Sequence, residues 1–138
     1  MSATILVVDP SPVVRRQVAQ SLGPVGFYVR EARDGWEALD VASRESHDLV
    51  LCALDMPGMN GVEFLSAFRE QDEASTPVVM LAAKVDPLLL SRARSYGAKG
   101  WIAKPFTTDL LVMAARKLTS TADVISFRSI EMPVRRAG

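Results

Sequence analysis

Residues 49–61, LVLCALDMPGMNG, decide how this chain folds. Leu49 to Ala53 form a continuous apolar run with no polar alternation, the pattern of a short strand buried on both faces, as in the middle of a parallel sheet. Asp55, Pro57 and Gly58 then supply turn chemistry. After Gly61, Val62, Leu65 and Phe68 recur at helical spacing, with Phe64 beside them. A buried strand, a tight turn and an amphipathic helix make one strand–helix unit. The residue that ends the strand, and so faces the turn, is Ala53.

The same unit repeats on either side. TILVVD (4–9) is a β-branched run ending in an acid. SPVVRRQVAQSLGPVG (11–26) opens with Ser11 as a helix cap and Pro12 in the first turn, where a missing N–H costs nothing, and is stopped by Gly23 and Pro24. FYVREA (27–32) is a second strand. DGWEALDVASRES (34–46) has Asp34 followed three residues later by Glu37, a capping-box pattern. Beyond the opening stretch, PVVMLAA (77–83) is a fourth strand, DPLLLSRARSYG (86–97) a helix, GWIAK (100–104) a fifth strand and TTDLLVMAARKLTS (107–120) a last helix. Strand and helix alternate five times with short connections. That predicts an α/β domain with a parallel sheet, right-handed crossovers and helices on both faces. Residues 1–120 are expected to form this domain. Residues 121–138, TADVISFRSIEMPVRRAG, fall outside the rhythm as a tail, disordered or docked on a partner. They carry three arginines against two acids.

Composition narrows the function classes. The chain has 138 residues, half of them apolar, which fits one compact domain with a real core. Sixteen basic residues balance sixteen acidic ones, which argues against a general electrostatic footprint for nucleic acid. The single cysteine, Cys52, excludes an internal disulfide or a cysteine-rich metal knot. No signal peptide is expected, and no run approaches the roughly 18 apolar residues of a membrane helix. A cytoplasmic protein is the expectation.

The segments ILVVD (5–9), SPVVRR (11–16), DGWEAL (34–39), DLVL with DMPGMNGVEFL (48–51 and 55–65), TPVVML (76–81) and GAKGWIAKPF (97–106) resemble, in order and spacing, those of the receiver domain of bacterial two-component response regulators. The resemblance covers residues 4–119. It implies a flavodoxin-like, doubly wound five-stranded parallel sheet of order 2-1-3-4-5, with the working site at the carboxyl edge of the strands, where open α/β sheets place their sites.

A receiver of this family uses two acids after the first strand to help hold Mg²⁺, a phospho-accepting aspartate ending the third strand, a Ser or Thr ending the fourth and a Lys after the fifth. The chemistry explains the set, because a carboxylate attacking a phosphoryl group needs cations to offset anion–anion repulsion. Carried onto this chain, the acid pair falls on Asp9 and Pro10, the acceptor on Ala53, the hydroxyl on Ala82 and the lysine on Lys104. The resemblance therefore implies a degenerate pseudo-receiver without an acceptor, with no catalytic residue, no metal and no cofactor. Ala53 can neither form an acyl phosphate nor imitate one. Asp9 and Lys104 are expected to pair with each other or to face water. Asp55, in the following loop, is read as facing away from the pocket, Cys52 as a core filler and His47 as a surface residue.

Leu88, Leu89 and Leu90 sweep roughly 200° of a helix, so they cannot all face the sheet. Trp101, at the position of the family's strand-five aromatic, is expected to be partly exposed beside them. These four residues mark the face made by the fourth helix, fifth strand and fifth helix, through which receivers resembling this one bind protein partners. The expected function is a stand-alone, phosphorylation-independent signalling adaptor and not an enzyme. It would bind a signalling or output protein, with a homodimer open and with no nucleic acid or membrane as partner. Two alternatives stay open: a small-ligand module using the space left at Ala53 and Ala82, and a receiver phosphorylated at a non-standard residue.

Overall fold

A computed structural model of the chain describes residues 3–71 and 75–120. The tail proposed for residues 121–138 lies outside the described residues. Among those described, strands β1 (Thr4–Val8), β2 (Tyr28–Ala32), β3 (Leu49–Ala53), β4 (Val78–Ala82) and β5 (Gly100–Ala103) alternate with helices α1 (Pro12–Leu22), α2 (Gly35–Arg44), α3 (Gly61–Gln71), α4 (Pro87–Ser95) and α5 (Thr108–Thr119). The strands are all parallel in the order β2-β1-β3-β4-β5. The doubly wound architecture expected from the sequence is the one observed.

The pleat sorts the core into two layers. Leu6, Val8, Val50, Cys52, Val78, Met80 and Trp101 face α2, α3 and α4, where Phe64, Leu65 and Leu90 meet them. Ile5, Val7, Leu49, Leu51, Val79, Leu81 and Ile102 face α1 and α5, where Val18, Leu22 and Leu111 close the other layer. Each fully buried Leu, Ile or Val contributes about 1.5–3 kcal/mol relative to exposure. These two layers therefore carry the fold, and the continuous apolar run 49–53 is what a strand covered on both sides requires.

Helix starts are fixed by side chains. Ser11, Asp34, Asp86 and Thr107 accept from Val14, Glu37, Leu89 and Leu110 N–H groups respectively. The capping box foreseen at Asp34 is only half closed, because Glu37 turns to the N–H of Arg33 at 2.7 Å instead of that of Asp34. A complete reciprocal box forms at α3: Asn60 and Glu63 exchange hydrogen bonds of 2.9 Å each. Gly61, at the start of α3, is compelled by packing. A Cβ there would stand 2.3 Å from the carbonyl oxygen of Ala53, so only glycine lets α3 begin against the end of β3.

At the amino edge, the Arg69 guanidinium at the end of α3 donates to the carbonyls of Thr76 at 2.7 Å, Tyr96 at 2.9 Å and Gly97 at 3.4 Å. One side chain thus ties α3 to the approach to β4 and to the turn before β5.

His47 departs from expectation. It is buried, its Nε2 3.0 Å from Glu45 Oε1, and Glu45 in turn pairs with Arg30 at 2.8 Å. The alternation of the α2–β3 connection turns the ring inward ahead of the strand. Burial pushes its pKa below the ordinary 6.5, against the opposing pull of Glu45, while Arg30 lowers it and Asp48 raises it. The folded-state value lies below the unfolded one, so this contribution to stability is complete above about pH 6.5 and is lost as pH falls below it. We expect the melting temperature to drop between pH 7 and 5.5, and His47→Gln to remove part of that slope in circular dichroism melts. A wild-type melting temperature that rises on acidification would mean that the Glu45 pairing outweighs burial.

Candidate functional site

Parallel strands that share a register end together. One residue past the Val8–Cys52 pair stand Asp9 and Ala53, and Ala82 closes β4 opposite Ala103, directly before Lys104. Asp9, Ala53, Ala82 and Lys104 therefore gather at the carboxyl edge because of where the strands stop. The peptide N–H of Lys104 donates to the carbonyl of Ala82 at 2.9 Å, which extends the β4–β5 ladder up to the lysine.

The centre of this edge is an ion pair. Lys104 Nζ lies 2.6 Å from Asp9 Oδ2, with the carboxylate buried and the lysine partly exposed. Oδ2 receives no hydrogen bond of good geometry, so the ammonium balances its charge without saturating its lone pairs. Oδ1 accepts the N–H of Ser11 at 2.9 Å, and the Asp9 carbonyl accepts Arg15 Nη1 at 2.7 Å. Arg15 also holds Glu31, Nε to Oε1 at 3.1 Å. The carboxylate is thus held from the start of α1 and from the end of β5 at once.

Ala53 has no solvent-accessible surface, and Ala82 has almost none. Pro10 is exposed and offers neither a carboxylate nor an N–H. A divalent cation at a receiver-type site needs an acidic cluster open to phosphate and water. Here one carboxylate is buried, already neutralised by an ammonium, and flanked by a methyl and a proline. This donor set does not fit Mg²⁺. Among the described residues, no group of three His, Cys, Asp or Glu side chains could hold a metal.

Beside Ala82 a cleft of about 240 Å³ opens between the β3–α3 and β4–α4 connections, lined by Leu54, Asp55, Ala82, Lys84 and Leu89 among others. Asp55 is exposed and lines this cleft, whose lining includes none of Asp9, Ala53 and Lys104. Ala53 does not line it, so the space imagined over both alanines is not a single cavity. Cys52 is fully buried, and burial, with a further push from Asp9, raises its thiol pKa far above the ordinary value. That is the behaviour of a packed side chain, not a redox thiol.

On the α4–β5–α5 side the leucine trio splits as helical geometry demands. Leu88 points out at 65% exposure, Leu89 is intermediate and Leu90 is buried. Trp101 corrects the expectation: it is buried, at 4%, because β5 turns its indole into the layer with α4. Sequence reasoning passed over Val85, at 60% exposure beside Leu88, and the exposed Trp36, whose ring lies over Gly58 in the β3–α3 turn. An isolated apolar residue in a polar stretch was the available signal for each.

Residues 5–116 match the family model of the response regulator receiver domain. The transcriptional regulatory protein ResD of Bacillus subtilis is 30% identical over 95% of this chain and 54% of its own length. The sensor histidine kinase RcsC of Salmonella typhimurium is 36% identical over 78% of this chain and 11% of its own. The chain thus spans about half of the first relative and a small part of the second. Among solved structures, the chemotaxis protein CheY4 of Vibrio cholerae superposes with a TM-score of 0.81 at 34% identity, covering 86% of this chain and 99% of that one. The signal receiver domain of an HD domain-containing protein from Pseudomonas fluorescens gives 0.80 at 28%, covering 86% and 94%.

Removing one partner of a buried pair leaves an uncompensated charge and costs about 3 kcal/mol or more. We expect Lys104→Met to destabilise the domain by that order, and Asp9→Asn in the same chain to recover most of the loss, measured by urea unfolding. Independent, additive losses from the two changes would show that the ion pair contributes little.

Proposed function

This chain belongs to the response regulator receiver family, and we propose that it is a pseudo-receiver, a domain that signals through protein contacts without aspartyl phosphorylation. The observation that carries the reading is Ala53. It ends β3, one register step past the Val8–Cys52 pair and next to the strand end that carries Asp9, at the position where the family resemblance places the phospho-accepting aspartate. The nucleophile, one of the two metal-site acids and the switch hydroxyl are missing together at Ala53, Pro10 and Ala82. With no acyl phosphate to form, the edge serves as a structural closure, and function passes to the surface.

The partner is a signalling or output protein, and the contact face is that of α4, β5 and α5. Its anchors are Leu88 and Val85, both largely exposed on either side of the Asp86 cap of α4. Interface energy concentrates in a few such apolar anchors. The small-ligand alternative is weaker, because the cleft beside Ala82 is smaller than the roughly 300–1,000 Å³ of small-molecule sites and Ala53 is not part of it. Phosphorylation at another residue would fall on Asp55, which shares that cleft with Asp86, but Asp86 is engaged as the cap of α4 and, among the described residues, no group of three His, Cys, Asp or Glu side chains could hold a cation.

Acetyl phosphate with Mg²⁺, read by intact mass, should add no phosphate to the chain. Ala53→Asp alone should fail to take up phosphate at a normal receiver's rate, since the second acid and the hydroxyl remain absent and the new carboxylate stands beside Asp9. A stoichiometric base-labile adduct on the unmodified chain would overturn the reading.

For the surface, Leu88→Arg should abolish capture of the native partner while leaving the thermal melt within a degree or two, because the side chain is outside the core. Ala53→Gly should leave capture unchanged. The reverse pattern, with binding lost at Ala53 and kept at Leu88, would return function to the carboxyl edge.

A further inference from the structure

Charge is distributed unevenly over a chain whose formal net charge is zero. Residues 3–71 hold ten acidic residues against six basic ones, a net of −4. Residues 84–120 hold seven basic residues against two acidic ones, a net of +5. Pairing divides in the same way. In the first part Arg15, Arg30, Arg33 and Arg44 pair with Glu31, Glu45, Asp34 and Asp40, at 3.1, 2.8, 3.8 and 2.7 Å respectively. In the second, Lys104 holds Asp9, while Lys84, Arg92, Lys99, Arg116 and Lys117 make no ion pair among the described residues.

The helix dipole explains part of this. Cations complement the carboxyl end of a helix, and Arg92 stands in the last turn of α4, Arg116 and Lys117 in that of α5. The dipole does not explain Lys99, which precedes β5 outside any helix. Nor does it explain Lys84, which precedes the amino end of α4, where the dipole opposes a cation. These cations border the apolar anchors. Lys84 is next to Val85, and Arg92 is one turn of α4 beyond Leu88 on the same side of the helix. The nine residues of α4 rise about 13 Å. A partner helix of roughly three turns therefore reaches from the anchors to the cations at the amino edge.

We infer that the α4–β5–α5 face takes an acidic segment of a different protein, which sets an apolar side chain against Leu88 and Val85 and carboxylates against Arg92, Lys99 and Lys117. The inference rests on the face proposed above and adds the chemistry of its partner. It also sets this face against a symmetric pair of copies. A twofold contact lays a patch on its own counterpart, and here it would bring the unpaired cations of both copies together, a like-charge arrangement that opposes association. Nucleic acid fits the surface less well. A phosphate backbone gains from cations but nothing from exposed Leu88 and Val85, and Asp86 and Asp109 stand at the starts of the same two helices. An acidic segment with an apolar residue uses both parts of the face. Because the cations are exposed or partly so, its binding weakens as salt rises.

The test titrates the full chain with labelled synthetic helical peptides of about sixteen residues. One carries leucines on one side and glutamates on the other, a second replaces the glutamates by lysines, and a third replaces the leucines by alanines. The first should bind, and the other two should bind at least about tenfold more weakly. Arg92→Glu with Lys117→Glu should weaken the first peptide by about tenfold. Arg33→Glu with Arg44→Glu, the same change of charge at and beside α2, should weaken it by less than about twofold. Equal losses from the two double variants, equal binding of the lysine peptide, or no binding of the glutamate–leucine peptide would overturn the inference. So would a DNA duplex that binds more tightly than that peptide, which would assign the cations to nucleic acid, or a dimer of the chain alone that Leu88→Arg dissolves. The face itself is read separately. If Leu88→Arg abolishes capture of the native partner while Arg92→Glu with Lys117→Glu leaves it intact, the face stands and the acidic partner falls.

Discussion

A parallel sheet has to be covered on both faces, and that constraint orders everything else in this molecule. Its strands carry apolar side chains in both directions, so helices must return the chain above and below, and they can do so only through right-handed crossovers. Every strand consequently ends at one edge and every helix begins there. The side chains that end β1, β3, β4 and β5 have nowhere to go except toward each other. The carboxyl edge is a meeting place before any chemistry is assigned to it, which is why Asp9, Ala53, Ala82 and Lys104 come together from positions 95 residues apart at the extremes.

What these residues do is settled by charge. A carboxylate held out of water needs compensation, and the nearest ammonium supplies it. Lys104 reaches across to Asp9 at 2.6 Å, and the peptide N–H of Ser11 takes the other oxygen. On the proposed reading, a site of the kind that gathers charge around a phosphoryl group is here one in which the charges offset each other. The same pair connects the end of the first strand to the end of the last, and so acts as a tie across the sheet.

Much of this was legible in the sequence, for identifiable reasons. Strand and helix order followed from the switch between continuous apolar runs and helical spacing, and the cap at Asp34 from a local motif. The gathering of Asp9 and Lys104 followed from the resemblance and not from their own surroundings. Two readings failed for a shared cause. His47 and Trp101 were judged by residue type and by position in the chain, whereas their burial depends on which layer the pleat turns them into. The tightness of Gly61 was likewise invisible, because nothing in the sequence says that the carbonyl of Ala53 lies 2.3 Å from where its Cβ would be. The box at Asn60 and Glu63 could have been found, since its spacing is the same as that noticed at Asp34.

Arg69 gives the two ends of the molecule different histories. By holding the carbonyls of Thr76, Tyr96 and Gly97, it makes the amino edge a hub in which three chain passages share one cation. Geometry there is held in common, and a change to any passage disturbs the other two. The carboxyl edge is built differently, with each strand contributing its own terminal residue on its own connection. Outside the Asp9–Lys104 pair, a substitution at that end touches one connection at a time. On the pseudo-receiver reading, a domain assembled in this way can lose a chemical activity at one edge and still present an intact surface.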